Sequence, residues 1–84
     1  MLTNAVKIHP DDNVAVAVKE IKTGETVADG PSARQDIPKN HKVALRPIRA
    51  GEKIVKYGEA IGVAVSDIRP GDWVHTHNLK AEEN

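Results

Sequence analysis

One seven-residue pattern occurs three times in the chain. It reads Ile-Lys-Thr-Gly-Glu-Thr-Val at 21–27, Ile-Arg-Ala-Gly-Glu-Lys-Ile at 48–54 and Ile-Arg-Pro-Gly-Asp-Trp-Val at 68–74. Each copy runs apolar, basic, turn residue, Gly, acid, any residue, apolar. The third copy shows the mechanism. Pro70 presets φ at position i+1 of a type II turn, and Gly71 supplies the positive φ that position i+2 requires. The apolar residues on either side dip into a core. Three such corners in 84 residues leave room only for short strands that keep reversing. The copies start 27 and then 20 residues apart, so this is recurring turn chemistry and not a solenoid repeat.

What fills the core follows from the side chains available. There is no Cys and no Phe, and there is one Trp and one Tyr. Val and Ile together number 17 against 3 Leu. The core is therefore aliphatic and β-branched, which favours strands over helices. Without Cys, neither a disulfide nor a thiolate zinc site can brace a chain of this size. Lys plus Arg equals Asp plus Glu, 12 each, so no basic field exists to attract nucleic acid or an anionic membrane. No apolar run approaches the ~20 residues of a membrane span. The start, Met-Leu-Thr-Asn-Ala-Val-Lys, lacks the basic-then-apolar order of a signal peptide. A soluble cytoplasmic protein is expected, and near-zero net charge in a small domain fits one that has a partner.

Alternation places strands at 4–9, 13–21, 41–45, 53–57 and 60–68. In the second, Val14, Val16 and Val18 share one face and Ala15 and Ala17 the other, where something must pack closely. Gly58 ends the 53–57 strand, and Gly62 marks a bulge or a close backbone contact. His9-Pro10-Asp11-Asp12-Asn13 is a turn cluster. Residues 28–40 form a 13-residue irregular connection, a length that tends to be mobile or functional. The domain is expected to span 1–79, with 80–84 a polar tail or the start of a linker.

The chemistry-bearing residues gather in Gly71-Asp72-Trp73-Val74-His75-Thr76-His77-Asn78. As a strand, this stretch points Trp73, His75 and His77 one way and Val74, Thr76 and Asn78 the other. Two imidazoles on one face can reach a single metal ion or substrate; they can equally be two half-exposed strand residues. His41-Lys42 is a second candidate, with Lys42 either pairing with a carboxylate or remaining a solvated strand charge. Lys56 would add positive charge. Tyr57 reads as a packing residue with its hydroxyl tied down, and Asp11 and Asp12 as Asx-turn residues.

Four stretches together resemble a known family. They are Asp12-Asn13-Val14-Ala15-Val16-Ala17, Ile37-Pro38-Lys39-Asn40-His41-Lys42-Val43-Ala44-Leu45, Ile54-Val55-Lys56-Tyr57-Gly58-Glu59-Ala60-Ile61-Gly62 and Trp73-Val74-His75-Thr76-His77-Asn78-Leu79. In this order they are similar to the N-terminal domain of the altronate and galactarate dehydratases, and to the small subunit of sulfolactate sulfo-lyase. One departure is Asn40, where the family usually has Gly; Asn tolerates left-handed φ. The resemblance implies a small, mostly-β, β-clip (SAF, antifreeze-like) domain of short strands and tight turns. It implies a role as small subunit or N-terminal domain of a metal-dependent sugar-acid hydro-lyase that yields a 2-keto-3-deoxy acid. His75 and His77 would then be catalytic residues or ligands of a divalent metal, Fe2+ or Mn2+. His41, Lys42, Lys56 and Asn78 would contact the sugar acid, at a site completed by a large catalytic subunit. The alternatives are a sulfo-lyase subunit and a non-catalytic module that binds or docks a sugar acid. An ice-binding face would have to be flat and uncharged, which 29% charged residues leave little area for. An exposed strand edge would invite self-pairing into a homo-oligomer.

Overall fold

A computed structural model of the chain describes residues 3–81. All of its regular structure is β, as expected. The strands are β1 (Ala5–Val6), β2 (Val14–Ala17), β3 (Lys42–Ala44), β4 (Lys53–Lys56), β5 (Glu59–Ala64), β6 (Trp73–Val74) and β7 (Leu79–Ala81). They form two antiparallel sheets, ordered β1-β2-β3-β6 and β4-β5-β7. No helix occurs among the described residues, and so none is long and apolar enough to cross a membrane.

The three corners have one construction. Gly24, Gly51 and Gly71 sit at φ 90°, 87° and 89°. Across each turn the N–H of Glu25, Glu52 or Asp72 donates to the carbonyl of Lys22, Arg49 or Arg69. The acid side chain then accepts a hydrogen bond from the N–H of that same basic residue, at 2.8–3.0 Å. The acid of the pattern is therefore a clasp on its own turn. Each Gly N–H also donates to the carbonyl of a buried alanine, Ala33, Ala64 or Ala44 respectively, and that alanine's N–H returns a bond to the acid's carbonyl.

These corners shorten the strands relative to the sequence expectation. Ile21, Ile37, Ile48 and Ile68 join the sheets only through isolated bridges, Ile21 with Ile37 and Ile48 with Ile68, and all four are buried. The core is divided in two. One cluster holds Ala15, Ala17, Ile21, Val27, Ile37 and Val43. The other holds Val14, Ala44, Ile48, Ile54, Ile68 and Val74. Strand β2 feeds both, so its alternation is not the usual core face against solvent face. Ala15 and Ala17 are buried, whereas Val18 of the expected valine face is 43% exposed.

Residues 28–40 are irregular but held. Thr26 bridges to Ser32, Arg34 N donates to Gly71 O, and Ser32 lies so close to Gly71 that a Cβ there would collide with its carbonyl. Asn40 adopts φ 71°, as its position before His41 requires. Gly62 lies beside a register shift in the β4–β5 pairing and against the backbone of Lys80, so it marks both a bulge and a close approach. The expected polar tail is in part a strand, since Leu79–Ala81 pair with β5 as β7; residues 82–84 lie outside the described residues.

Candidate functional site

The Trp73–Asn78 stretch leaves the sheet after Val74. Asn78 causes this. Its Oδ1 accepts a hydrogen bond from His75 N (2.9 Å) and its Nδ2 donates to Trp73 O (2.9 Å). The carbonyl of His75 accepts from the N–H groups of Asn78 and Leu79. Residues 75–78 are thus a turn, and simple strand alternation does not apply beyond Val74. Asn78 is buried and both ends of its amide are committed to this turn.

The two histidines nevertheless meet at Trp73. The His75 ring stacks on the indole, with centroids 5.6 Å apart and planes within 4°. His77 lies 5.3 Å from it at a tilt. β3 brings the second candidate pair alongside, because Val43 is in register with Trp73 and Lys42 with Val74. Trp73 Nε1 donates to His41 Nδ1 at 3.1 Å, which leaves the proton of a neutral His41 ring on Nε2. The His41 and His75 rings are 4.7 Å apart.

Lys56 arrives from the other sheet. Asn13 stitches the edge of β4 to the start of β2, accepting from Val55 N at 2.8 Å and donating to Lys53 O at 2.9 Å. Beyond it, Tyr57 and Gly58 form a two-residue hairpin turn with φ 59° and 75°, the type I′ geometry. Asp12 clasps this tip, accepting from Gly58 N at 2.8 Å and from His9 N at 3.0 Å. Tyr57 is therefore not the packing residue its sequence suggested. It is 55% exposed, with Lys56 Nζ 4.8 Å from its ring centroid.

The electrostatics of this assembly are one-sided. Burial, and then the charge of Lys56, push the Lys42 ammonium below the ordinary lysine value. Burial, and then His41, Lys42 and His77, lower the pKa of His75, so its ring favours the neutral form. Among the described residues no carboxylate lies within ion-pair distance of Lys42 or Lys56. His41, His75 and His77 thus meet at one indole, with Lys42 near enough to act on His75 and Lys56 near enough to act on Lys42. Such a face suits an anion that would restore the missing charge balance.

A metal fits less completely. Imidazoles with free ring nitrogens are good ligands for divalent ions, and neither His75 nor His77 has a ring nitrogen hydrogen-bonded among the described residues. Yet no group of three or more His, Asp or Glu among the described residues could hold an ion. The chain can offer two imidazoles towards a metal, and the remaining ligands would have to come from elsewhere.

A cleft of about 330 Å³ opens on the side of Trp73 where His77 lies. Arg34, Ser66, Asp67 and Asp72 contribute to its walls. Arg34 Nε and Gln35 Nε2 both donate to Asp72 Oδ1, at 2.8 and 3.1 Å, and Gln35 Oε1 accepts from Trp73 N at 2.7 Å. Apart from Asp72, the acid of the third corner, none of these wall residues stood out in the sequence. One signal was available: an Asp-Ile pair occurs at 36–37 and again at 67–68. Asp36 and Asp67 each accept a hydrogen bond from the turn residue of a corner, Thr23 or Ala50, so both are placed by the fold's repeated chemistry.

Comparison with known proteins adds a family. Residues 3–82 match the model of the altronate/galactarate dehydratase SAF domain. The altronate dehydratase of Bacillus subtilis is 45% identical over 78 residues, which is 89% of this chain and 16% of that protein. The L-threo-forming galactarate dehydratase of Escherichia coli is 44% identical over 71 residues, 82% of this chain and 14% of that protein. The (2R)-sulfolactate sulfo-lyase subunit alpha of Chromohalobacter salexigens is 35% identical over 82 residues, covering 86% of this chain and 87% of that subunit. The chain therefore spans about a sixth of the dehydratases it matches and nearly all of the sulfo-lyase subunit.

Proposed function

This chain belongs to the altronate/galactarate dehydratase SAF-domain family, and from that we propose that it is the small subunit or domain of a sugar-acid hydro-lyase, where it holds the substrate's carboxylate. The observation that carries the reading is the meeting of His41, His75 and His77 at Trp73, with Lys42 and Lys56 close beside them and no carboxylate in ion-pair distance among the described residues. Lys42 and Lys56 act as point charges for the carboxylate. Removing the proton α to that carboxylate places further negative charge on its oxygens, and the same lysines stabilise it. His75, kept neutral by burial and by its cationic neighbours, is able to accept that proton. His77, on the cleft side of the indole, is the group positioned to give a proton to a departing β-hydroxyl. A divalent ion bound there would supply Lewis-acid polarisation of the carboxylate and hydroxyl oxygens. The chain's own ligands for it would be His75 and His77, which would then hold the ion in place of moving protons. The remaining ligands and the opposite wall belong to a large catalytic partner.

A second reading has a specific observation in its favour. The match to a sulfo-lyase alpha subunit runs over 87% of that subunit's length, which fits a free small subunit that takes part in eliminating sulfite from a sulfonated hydroxy acid. Complementation separates the possibilities. Supplied to a dehydratase catalytic chain stripped of its own SAF domain, the protein should restore turnover of altronate or galactarate. H75A and H77A should each lower kcat by about 100-fold, the scale of general acid–base catalysis, whereas K42A should mainly raise KM. Rescue of sulfolactate turnover in a sulfo-lyase instead would favour the second reading. Histidine variants that raise KM and leave kcat unchanged would reduce the chain to a binding module.

A further inference from the structure

The cationic cluster and the cleft share Trp73 and His77 but differ in charge and in hydrogen-bonding character. The cleft sets two carboxylates, Asp67 and Asp72, against one guanidinium, Arg34. Most of Asp72 is spent internally: Oδ1 accepts from Arg34 and Gln35, and Oδ2 accepts from Arg69 N at 2.8 Å. Asp67 is different. Its Oδ1 accepts from Ala50 N at 2.9 Å, and its Oδ2 has no partner among the described residues. Arg34 is anchored through Nε and has no acceptor for its terminal nitrogens among the described residues; Ser66 and His77 are likewise unengaged. The cleft thus offers acceptors and donors in close alternation beside the flat apolar face of an indole. Hydroxyl groups, which both donate and accept, answer that alternation, and the C–H bonds of a sugar chain answer the indole. A second carboxylate answers it less well: it would meet the open nitrogens of Arg34 but also the open oxygen of Asp67, in a cleft with two carboxylates against one guanidinium.

We propose that this cleft is a subsite for the hydroxylated tail of an acyclic sugar acid, and that Asp67 selects an aldonic acid, charged at one end, over an aldaric acid, charged at both. The inference rests on the cationic cluster holding the first carboxylate, as proposed above. Volume supports it: about 330 Å³ lies at the small end of small-molecule sites and takes a chain of a few hydroxylated carbons. A three-carbon sulfonated acid has no such tail and carries a second negative charge.

The test is a titration of the full chain, followed by 15N–1H NMR, with altronate, galactarate and (2R)-sulfolactate in turn. The wild type should bind altronate roughly ten-fold more tightly than galactarate at low salt, and the difference should shrink as salt is added. Sulfolactate should bind more weakly than altronate. D67N keeps the Oδ1 acceptor for Ala50 N, so a dispersed spectrum with an unmoved Ala50 amide certifies the fold. In that variant galactarate should bind within about two-fold of altronate, the like-charge repulsion having been removed. Equal binding of the two acids by wild type, with signals of His41 and Trp73 Nε1 moving, would overturn the role of Asp67 and leave the carboxylate cluster standing. Unchanged discrimination in D67N would do the same. Tighter binding of sulfolactate than of altronate would overturn the polyol subsite and favour the sulfo-lyase reading. No movement with any of the three acids would remove both the subsite and the cluster.

Discussion

At the scale of single residues, polar side chains here do structural work that their surface-loving chemistry conceals. Asp12 is 2% exposed and makes no ion pair with Lys or Arg among the described residues. Burial alone would raise its pKa; the N–H groups of Gly58, His9 and Tyr57 outweigh that and, with His9 nearby, hold the carboxyl below its ordinary value. A carboxyl whose folded pKa is depressed contributes stability that is fully present above the unfolded value near 3.8 and is lost as pH falls through the folded one. Denaturant midpoints measured from pH 6 downward should therefore decline more steeply for wild type than for D12N. At neutral pH, D12N should lose about 1–3 kcal/mol, because an amide nitrogen would face a backbone donor where an oxygen now accepts. Parallel acid profiles for the two proteins would contradict this account. His75 adds to the same trend at higher pH, though it is the neutral and not the charged form that the fold favours. Its neutral form is favoured, so below the unfolded value near 6.5 the unfolded chain takes up a proton that the folded ring resists, and stability falls with pH there.

At the scale of elements, side-chain amides substitute for strands. Asn4 bonds Thr26 O and Ala28 N, Asn13 bonds Lys53 O and Val55 N, Gln35 bonds Trp73 N, and Asn78 bonds Trp73 O and His75 N. Each supplies backbone-like partners where a two- to four-residue strand would otherwise present open groups. The corners divide labour differently. Gly24 and Gly51 face open space, so an added Cβ there is opposed only by the left-handed φ. At Gly71 the Cβ would also strike the carbonyl of Ser32. Thermal or urea unfolding should show G24A and G51A destabilised by about 1–2 kcal/mol each and G71A by about 3 kcal/mol or more. Equal losses at all three would mean that Ser32 yields without cost. Because Gly71 also sets the approach of residues 32–35 to Trp73, G71A should disturb the indole N–H signal as the other two do not.

At the scale of the whole molecule, the proposed function makes the domain one wall of a site. The cluster and the cleft share Trp73 and His77, but the described residues hold no three-ligand metal group. The cleft is small, and the chain spans 14–16% of its dehydratase relatives. On the proposed function, water exclusion, which strengthens every electrostatic contribution at a reacting centre, would fall to another polypeptide segment. The isolated chain should show no turnover of altronate or galactarate with added Fe2+ or Mn2+. Measurable turnover of either acid would show the site to be complete within these residues.

What the sequence determined by itself is whatever depends on neighbours along the chain. β-branched composition and Gly-acid corners specify short strands and type II turns, and Asn40 and Gly62 announce their unusual backbone roles. Those effects act within a few residues, so a local reading captures them. The tertiary structure decided everything that depends on which segments meet. Alternation could not tell that both faces of β2 are buried, because that follows from two sheets closing on one strand. It could not tell that Asn78 turns the chain after Val74 and spends its amide there. Nor could it show that His41, His75 and His77 share one indole, or that Asp67 lines a cleft with it. Their spacing in the chain carries no trace of that proximity, which comes from hydrogen bonds between residues some 30 to 45 positions apart, such as Trp73 to His41 and Val55 to Asn13.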